Sequence, residues 1–239
     1  MVIKISLTSI PPRLDKLQNM INTLRVGDEI WVNIPYKYSR FPDWSGELPA
    51  LRSDTRLVIN RCDEDLGPAT KIFPTALTSD PDDIIVYIDD DTYYEPQTLI
   101  SLVKHFDGTS VIGTSGFDLH NYFKRQYPRG HLTSVDVIEG YGAVVTKAKW
   151  FQDIYKDFMT LKDESKFADD LVISNLLEGI GIPRKTVCTL DCNVGQIKQY
   201  SYGFESDSLH KQTDGGHHEN YARVLDSLTL KGKNYFNYK

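Results

Sequence analysis

Cysteine is scarce in this chain: Cys62, Cys188 and Cys192 are the only three in 239 residues. A sparse, odd-numbered set with no secretory signal ahead of it argues against a disulfide framework and for a reducing compartment. Cys188-Thr-Leu-Asp-Cys192 also lacks the Cys-x-x-Cys spacing of a structural zinc site, so all three are read as structural residues. Long hydrophobic runs are missing too. Nothing approaches the roughly 20 apolar residues of a membrane span, and Met1 to Leu7 is too short for a signal peptide and reads as a strand. A cytoplasmic protein is the expectation. Positive charge is not in excess: 27 Lys and Arg stand against 33 Asp and Glu, a formal net charge of −6. That gives no reason to expect a nucleic-acid partner, which requires a basic surface, and an acidic chain that handles a phosphorylated ligand would need local cations or a metal. There is no internal repeat and no low-complexity tract.

What is present alternates between strand-like and helix-like patterns. Val2 to Leu7 predicts a first strand, and the prolines of Thr8-Ser9-Ile10-Pro11-Pro12-Arg13 force an extended turn after it. Leu14, Leu17, Met20, Ile21 and Leu24 then recur at helical spacing. Asp28 to Ile34 and Leu57 to Asn60 predict two more strands, separated by an irregular segment rich in Pro, Tyr and Trp. The turn Asp65 to Lys71 leads into a helix around Ile72 to Leu77. Strand, helix, strand, helix is the pattern of a mainly parallel sheet.

The fourth strand carries the strongest signal. Ile84-Ile85-Val86-Tyr87-Ile88 is an apolar run that ends in Asp89-Asp90-Asp91-Thr92. Ligands of open α/β sheets bind outside the carboxyl ends of the strands, and adjacent carboxylates there repel one another unless a cation joins them. A hard divalent ion such as Mg²⁺ or Mn²⁺ suits oxygen ligands and is commonly held by one or two carboxylates, with phosphates completing the shell. The alternative is a solvated acidic turn. A phosphatase-type Asp nucleophile does not fit, because Tyr93 stands where its pattern needs Thr or Val.

Downstream, Pro96 to Phe106 predicts a helix and Val111 to Thr114 a short strand. Residues 117–134 are rich in aromatic and basic side chains and read as a long functional loop. The stretch Val135 to Val145 is read as a strand carrying Glu139-Gly140-Tyr141-Gly142, where glycines permit close approach by a ligand or another strand. Trp150 to Met159 is helical. Asp169 and Asp170 stand at the start of an apolar helical stripe that stops at Gly179. Acids at a helix start also serve as caps. Past residue 190 the chain is polar and Gly-rich, with His210, His217 and His218 ahead of a last helix, Tyr221 to Leu228, and residues 231–239 form a loose tail.

In this order, the entry loop Thr8-Ser9-Ile10-Pro11-Pro12-Arg13-Leu14-Asp15-Lys16-Leu17, the segment Val86 to Thr92 and the segment Ala168-Asp169-Asp170-Leu171-Val172-Ile173-Ser174 resemble the GT-A glycosyltransferases over most of the chain. The likeness is closest to exostosin-type enzymes and to short soluble glycosyltransferases of bacteria and large DNA viruses. It implies an α/β, Rossmann-like fold with a mixed, mainly parallel central sheet flanked by helices. It also implies a single GT-A domain over 1–239, with a nucleotide-binding half (1–115), an acceptor-binding half (116–230) and a tail. The implied reaction moves a sugar from a nucleoside diphosphate sugar, by family habit a UDP-sugar, to a hydroxyl of a glycan or glycoconjugate. For a viral chain the compartment would be the host cytoplasm.

The roles follow residue by residue. Asp91 would bind Mn²⁺ or Mg²⁺, with Asp89 facing the ribose hydroxyls or the metal's waters and Asp90 beside it. Leu7, Thr8 and Ser9 would hold the base through their backbone, and Arg13 and Lys71 are the cations placed near the nucleotide phosphates. Asp170, with Asp169, would lie on the reacting side, as general base in an inverting enzyme or steadying an oxocarbenium-like centre in a retaining one. His217 or His210 would complete the metal shell. Tyr122, Phe123 and Tyr127, with Glu139 and Gly140, are the acceptor-side candidates.

Two other readings compete. A sugar nucleotidyltransferase usually carries a Gly-rich phosphate loop straight after its first strand, and Ser6 to Arg13 has no glycine. A catalytically inactive glycan- or nucleotide-binding module would not need intact acids at both places.

Overall fold

The structure is a computed structural model that describes residues 1–52, 54–120, 124–126, 131–187, 197–199 and 216–236. Its first half follows the predicted alternation. Strands β1 (Ile3–Thr8), β2 (Glu29–Pro35), β3 (Leu57–Cys62) and β4 (Ile84–Tyr87) pair in parallel. Their side chains alternate between the two faces, as a strand's period of two requires. In and just after β4, Ile84, Val86 and Ile88 enter the core shared with Leu14, Leu17, Met20, Leu99 and Leu102. Ile85 and Tyr87 enter the opposite core with Phe73, Phe151, Phe158, Leu171 and Leu225. The strand is therefore buried on both faces, which is why it reads as an unbroken apolar run.

Between β1 and β2 the predicted helix is shorter than its periodicity suggests. Pro11 and Pro12 lack the N–H that a helical ladder uses, and Pro11–Lys16 form a 3-10 turn before α1 (Leu17–Ile21). Similarly, Gly67–Lys71 is a 3-10 turn that leads into α2 (Phe73–Thr78).

After β4 come β5 (Thr92–Tyr94), α3 (Pro96–His105), β6 (Val111–Gly113), β7 (Gly116–His120), β8 (Lys124–Gln126), β9 (His131–Ser134), β10 (Val137–Ile138) and β11 (Val144–Lys147). The expected loop at 117–134 is thus largely strand where it is described. Its alternation is short and broken by polar residues, so the pairing of β7 with β8 and β10 is set by tertiary contact. The expected strand over Val135 to Val145 is two strands joined by a 3-10 turn, Gly140–Gly142. Ala143 leaves that turn with φ 78°, a backbone region that residues with a Cβ avoid.

Helices α4 (Ala148–Thr160) and α5 (Lys162–Gly179), strands β12 (Arg184–Val187) and β13 (Ile197–Gln199), and helix α6 (Gly216–Leu230) complete the elements. Among the described residues, eight strands form the central sheet in the order β3-β2-β1-β4-β11-β6-β12-β9. Strand β11 runs antiparallel between β4 and β6, with Val144 opposite Tyr87. Because these two strands run in opposite directions, the turn before β11 lies beside the acid end of β4. Cys62 is buried and unpaired, in line with a structural role; Cys188 and Cys192 lie outside the described residues.

Two local expectations change. Asp169 and Asp170 lie inside α5 rather than at its first turn, but Ala168 departs from helical geometry (φ −158°, ψ 54°), so a fresh helical segment begins at the acids. The chain after Leu230 is docked rather than loose as far as Phe236. Asn175 donates to the Lys233 carbonyl and accepts from the Tyr235 N–H, each at 2.7 Å, and Phe236 is buried. Among the described residues no helix is long and apolar enough to cross a membrane.

Candidate active site

At the carboxyl ends of β1 and β2 lies a buried polar knot. Ser6 Oγ donates to the carbonyl of Lys71 at 2.5 Å, and Asn33 Nδ2 donates to Ser6 Oγ and Thr75 Oγ1 at 3.1 and 2.9 Å. Buried polar side chains, here Ser6 and Asn33 on the sheet and Thr75 on α2, cost desolvation unless they satisfy one another. Here they fix the backbone of the 3-10 turn that carries Lys71. The Lys71 side chain then runs under the acid loop, where its Nζ stands 2.8 Å from Asp89 Oδ1 and 3.8 Å from Asp169 Oδ2. Burial works against the ammonium, but Asp89, Asp169 and Asp170 outweigh it and hold its pKa well above the ordinary value.

The other two acids of the run meet the loop after β1. Arg13 Nη1 lies 3.2 Å from Asp90 Oδ1 and 2.9 Å from Asp91 Oδ2, and Ser9 Oγ donates to Asp90 Oδ2 at 2.5 Å. Tyr38, from the irregular segment after β2, donates its hydroxyl to the Ser9 carbonyl at 2.6 Å. Burial pushes Asp90 up to about 7 against the pull of Arg13. Asp91 is raised by burial and by the neighbouring Asp89 charge.

Asp170 approaches from α5. Its Oδ1 accepts the backbone N–H of Gly140 at 3.0 Å, while the Ile138 N–H bonds Ser174 Oγ one helical turn further on, also at 3.0 Å. Burial raises the Asp170 carboxyl well above the carboxylate range, and the adjacent Asp169 charge adds to that. Asp169 is raised by burial despite Lys71. Tyr94 closes the arrangement: its hydroxyl accepts the Asp89 N–H at 3.2 Å and donates to the Tyr141 carbonyl at 2.7 Å. Glu139 accepts from Ser115 Oγ at 2.5 Å.

The structure thus brings Ser9, Arg13, Lys71, Asp89, Asp90, Asp91, Glu139, Gly140, Asp169 and Asp170 to one end of the sheet. Leu7 is fully buried in the core through its side chain, which leaves only its backbone for any ligand, and Thr8 turns its hydroxyl to the Asn33 carbonyl. His217 lies near the start of α6. Tyr122, Phe123, Tyr127 and His210 lie outside the described residues.

Sequence reasoning missed Tyr38, Tyr94 and Ser115, and it missed the Ser6–Asn33–Thr75 knot. Polar residues interrupting apolar strands at Ser6 and Asn33 were a usable signal. Tyr38 offered none.

The donor set suits a hard cation, because it consists of carboxylate oxygens on Asp89 and Asp91. Among the described residues no three His, Cys, Asp or Glu side chains converge as a metal cage. Asp89 and Asp91 alone would leave such an ion needing further ligands, of which phosphate and water oxygens suit it. An ion there would compete with Arg13 for Asp91 and with Lys71 for Asp89.

No family model matches the chain, and no curated protein matches it by sequence. Solved structures do match in fold. The chain superposes on residues 1–349 of Staphylococcus aureus TarS with TM-score 0.55 and 11% identity, covering 97% of this chain and 65% of that one. The same protein with UDP-GlcNAc gives TM-score 0.52 and 10% identity, with 97% and 66% covered. A mannosyltransferase from Pyrobaculum calidifontis, crystallised with GDP-Man and Mn²⁺, superposes more loosely, at TM-score 0.46 and 12% identity over 95% of this chain and 75% of that one. The chain spans just under two thirds of the TarS segment. The fold is that of the GT-A, Rossmann-like glycosyltransferases.

Proposed function

We propose that this chain is a glycosyltransferase that takes a sugar from a nucleoside diphosphate sugar, a UDP-sugar first, and passes it to a hydroxyl of a glycan or glycoconjugate. The observation that carries this reading is the convergence of Asp89–Asp91 with Asp169–Asp170 across one buried lysine at the carboxyl end of the sheet. A transferase needs both acid clusters, one to hold an anionic leaving group through a cation and one to meet the acceptor hydroxyl.

In this reading Asp91, with Asp89, would hold Mn²⁺ or Mg²⁺. When bound, such an ion supplies Lewis-acid stabilisation to the departing diphosphate. Ser9 and the loop after β1 border the nucleotide, and Arg13 is the positive charge nearest Asp91. Asp170 stands on the reacting side. Burial and the adjacent Asp169 charge raise its pKa, which makes it a stronger base than an exposed carboxylate when ionised, and the Gly140 N–H donates to its Oδ1 and orients it. The aromatic segment with Tyr122, Phe123 and Tyr127 is proposed to face the acceptor, with Glu139 and Gly140 at its border. Replacing all three aromatics by Ala should then raise the acceptor KM and leave donor affinity unaltered.

The test is release of nucleoside diphosphate from a panel of sugar nucleotides with Mn²⁺, with and without glycan acceptors. Metal-dependent release from at least one donor, stopped by EDTA, is the expected result. No release from any donor under any acceptor condition would contradict the reading.

A further inference from the structure

Lys71 is enclosed on every side that its neighbours define. Asp89 lies at 2.8 Å and Asp169 at 3.8 Å, and the Tyr87 ring is 5.9 Å away. A Cβ added at Gly140 would come within 2.6 Å of Nζ and 3.0 Å of Asp170 Oδ1. The backbone of the Gly140 turn therefore covers the ammonium so closely that a side chain there would force Lys71 to shift. The side chain is 5% exposed, and its own backbone is pinned by Ser6. An ammonium held in this way has no open face for a phosphate.

We propose that Lys71 is a positioning residue: it holds the Asp89 carboxylate of the acid loop and the Asp169 carboxylate of α5 at a fixed separation, and through Asp169 and the Gly140 turn it sets where Asp170 sits. This deepens the glycosyltransferase reading and rests on it for its kinetic arm. Physically, one buried cation balances carboxylates from two elements. Without it they repel one another or take up protons, and either change moves the reacting-side acid. A displacement of about 1 Å at a reacting group can cost on the order of 100-fold in rate. The same geometry assigns Gly140 its role, since a methyl group there would press on both Lys71 and Asp170.

The experiment has two arms on the full chain. In the first, Lys71→Met and Gly140→Ala are compared with wild type for donor affinity by calorimetry with Mn²⁺ and for kcat, well below each variant's melting temperature. The expected result is a kcat loss of about 100-fold or more in both variants, on the scale of a misplaced catalytic group, with donor affinity within about threefold in Gly140→Ala, which leaves the Lys71–Asp89 pair its charges. Tenfold or greater loss of donor affinity with kcat preserved would make Lys71 a phosphate ligand and overturn the proposal; unchanged kcat in both would overturn it as well. Should Lys71→Met not fold, Gly140→Ala carries this arm, because it removes no charge. The second arm needs no activity: free amines are acetylated and mapped by mass spectrometry. Lys71 is expected to resist labelling in the ligand-free wild type and to become reactive in the Asp89→Asn, Asp169→Asn double variant. Ready labelling of wild type, blocked by UDP with Mn²⁺, would contradict the enclosed position. A wild type that transfers nothing overturns the glycosyltransferase reading, and the labelling arm still decides the position of Lys71.

Discussion

Arg13 Nη1 stands 2.9 Å from Asp91 Oδ2 and 3.2 Å from Asp90 Oδ1, so one guanidinium nitrogen bridges two adjacent buried carboxylates. With Lys71 against Asp89, it gives each of three consecutive acids at the strand end a cationic partner. It also means that a cation arriving at Asp91 meets a carboxylate already paired with Arg13, and has to share it or displace Arg13.

The first prediction concerns that carboxylate. Phosphates and the acid run are both anionic and repel one another without a cation between them. Asp91→Asn should therefore abolish Mn²⁺-dependent binding of UDP while the protein stays folded by circular dichroism. Calorimetry in Mn²⁺ and in EDTA checks it. Equal UDP affinity for wild type in the two buffers would remove the metal from the account.

A second prediction is a pH dependence of stability far from the site. Asp83 accepts the Val2 N–H at 2.8 Å and lies 3.2 Å from Lys4 Nζ. Burial resists its ionisation, but those two partners outweigh burial and hold its pKa below the ordinary value. A carboxyl depressed in the folded state stabilises above its unfolded pKa, about 3.9, and that contribution is lost as pH falls through the lower folded value. Asp83→Asn should cost about 1–3 kcal/mol at pH 7, and its deficit against wild type should shrink below about pH 4. Urea melts across pH read this directly. A deficit that stays constant down to pH 2 would show that the charge of Asp83 is not what stabilises.

A third concerns the C-terminal segment. Asn175 makes two bonds to the backbone at Lys233 and Tyr235, and the Tyr235 ring packs against Gly179. Asn175→Ala leaves a part-buried carbonyl and N–H without this partner and should lower unfolding free energy by about 1 kcal/mol. A urea midpoint equal to wild type would mean that the docked segment contributes nothing to stability.

Much of the sheet was legible because burial on both faces writes an apolar run, as at Ile84 to Ile88, and the prolines near residues 11 and 96 mark where helical turns begin. The pairing of β7, β8 and β10 was not legible, since Gly116 to His120 alternates too briefly to separate a strand from a polar loop. For the site, the acid run and the Asp169–Asp170 pair stood out as carboxylates beside apolar stretches. Lys71 did not show its place. A lysine in a turn reads as a solvent-facing cation, and only the antiparallel pairing of β11 with β4, which lays Gly140 over the ammonium, encloses it. Likewise, the link from Tyr38 through Ser9 to Asp90 joins three segments that no local pattern connects.

The most direct test of the central claim, that the two acid clusters form one transfer site, is made on Asp170. Asp170→Asn preserves side-chain shape and can still bond the Gly140 N–H, but it cannot take up a proton or carry charge. UDP affinity with Mn²⁺ and the transfer rate should be measured on the same preparation. The expected result is affinity within about threefold of wild type and a rate lower by about 10²–10⁴-fold, the usual contribution of general-base help. A variant that melts earlier yet transfers sugar at the wild-type rate would contradict the claim and leave Asp170 as a structural ligand of the Gly140 turn.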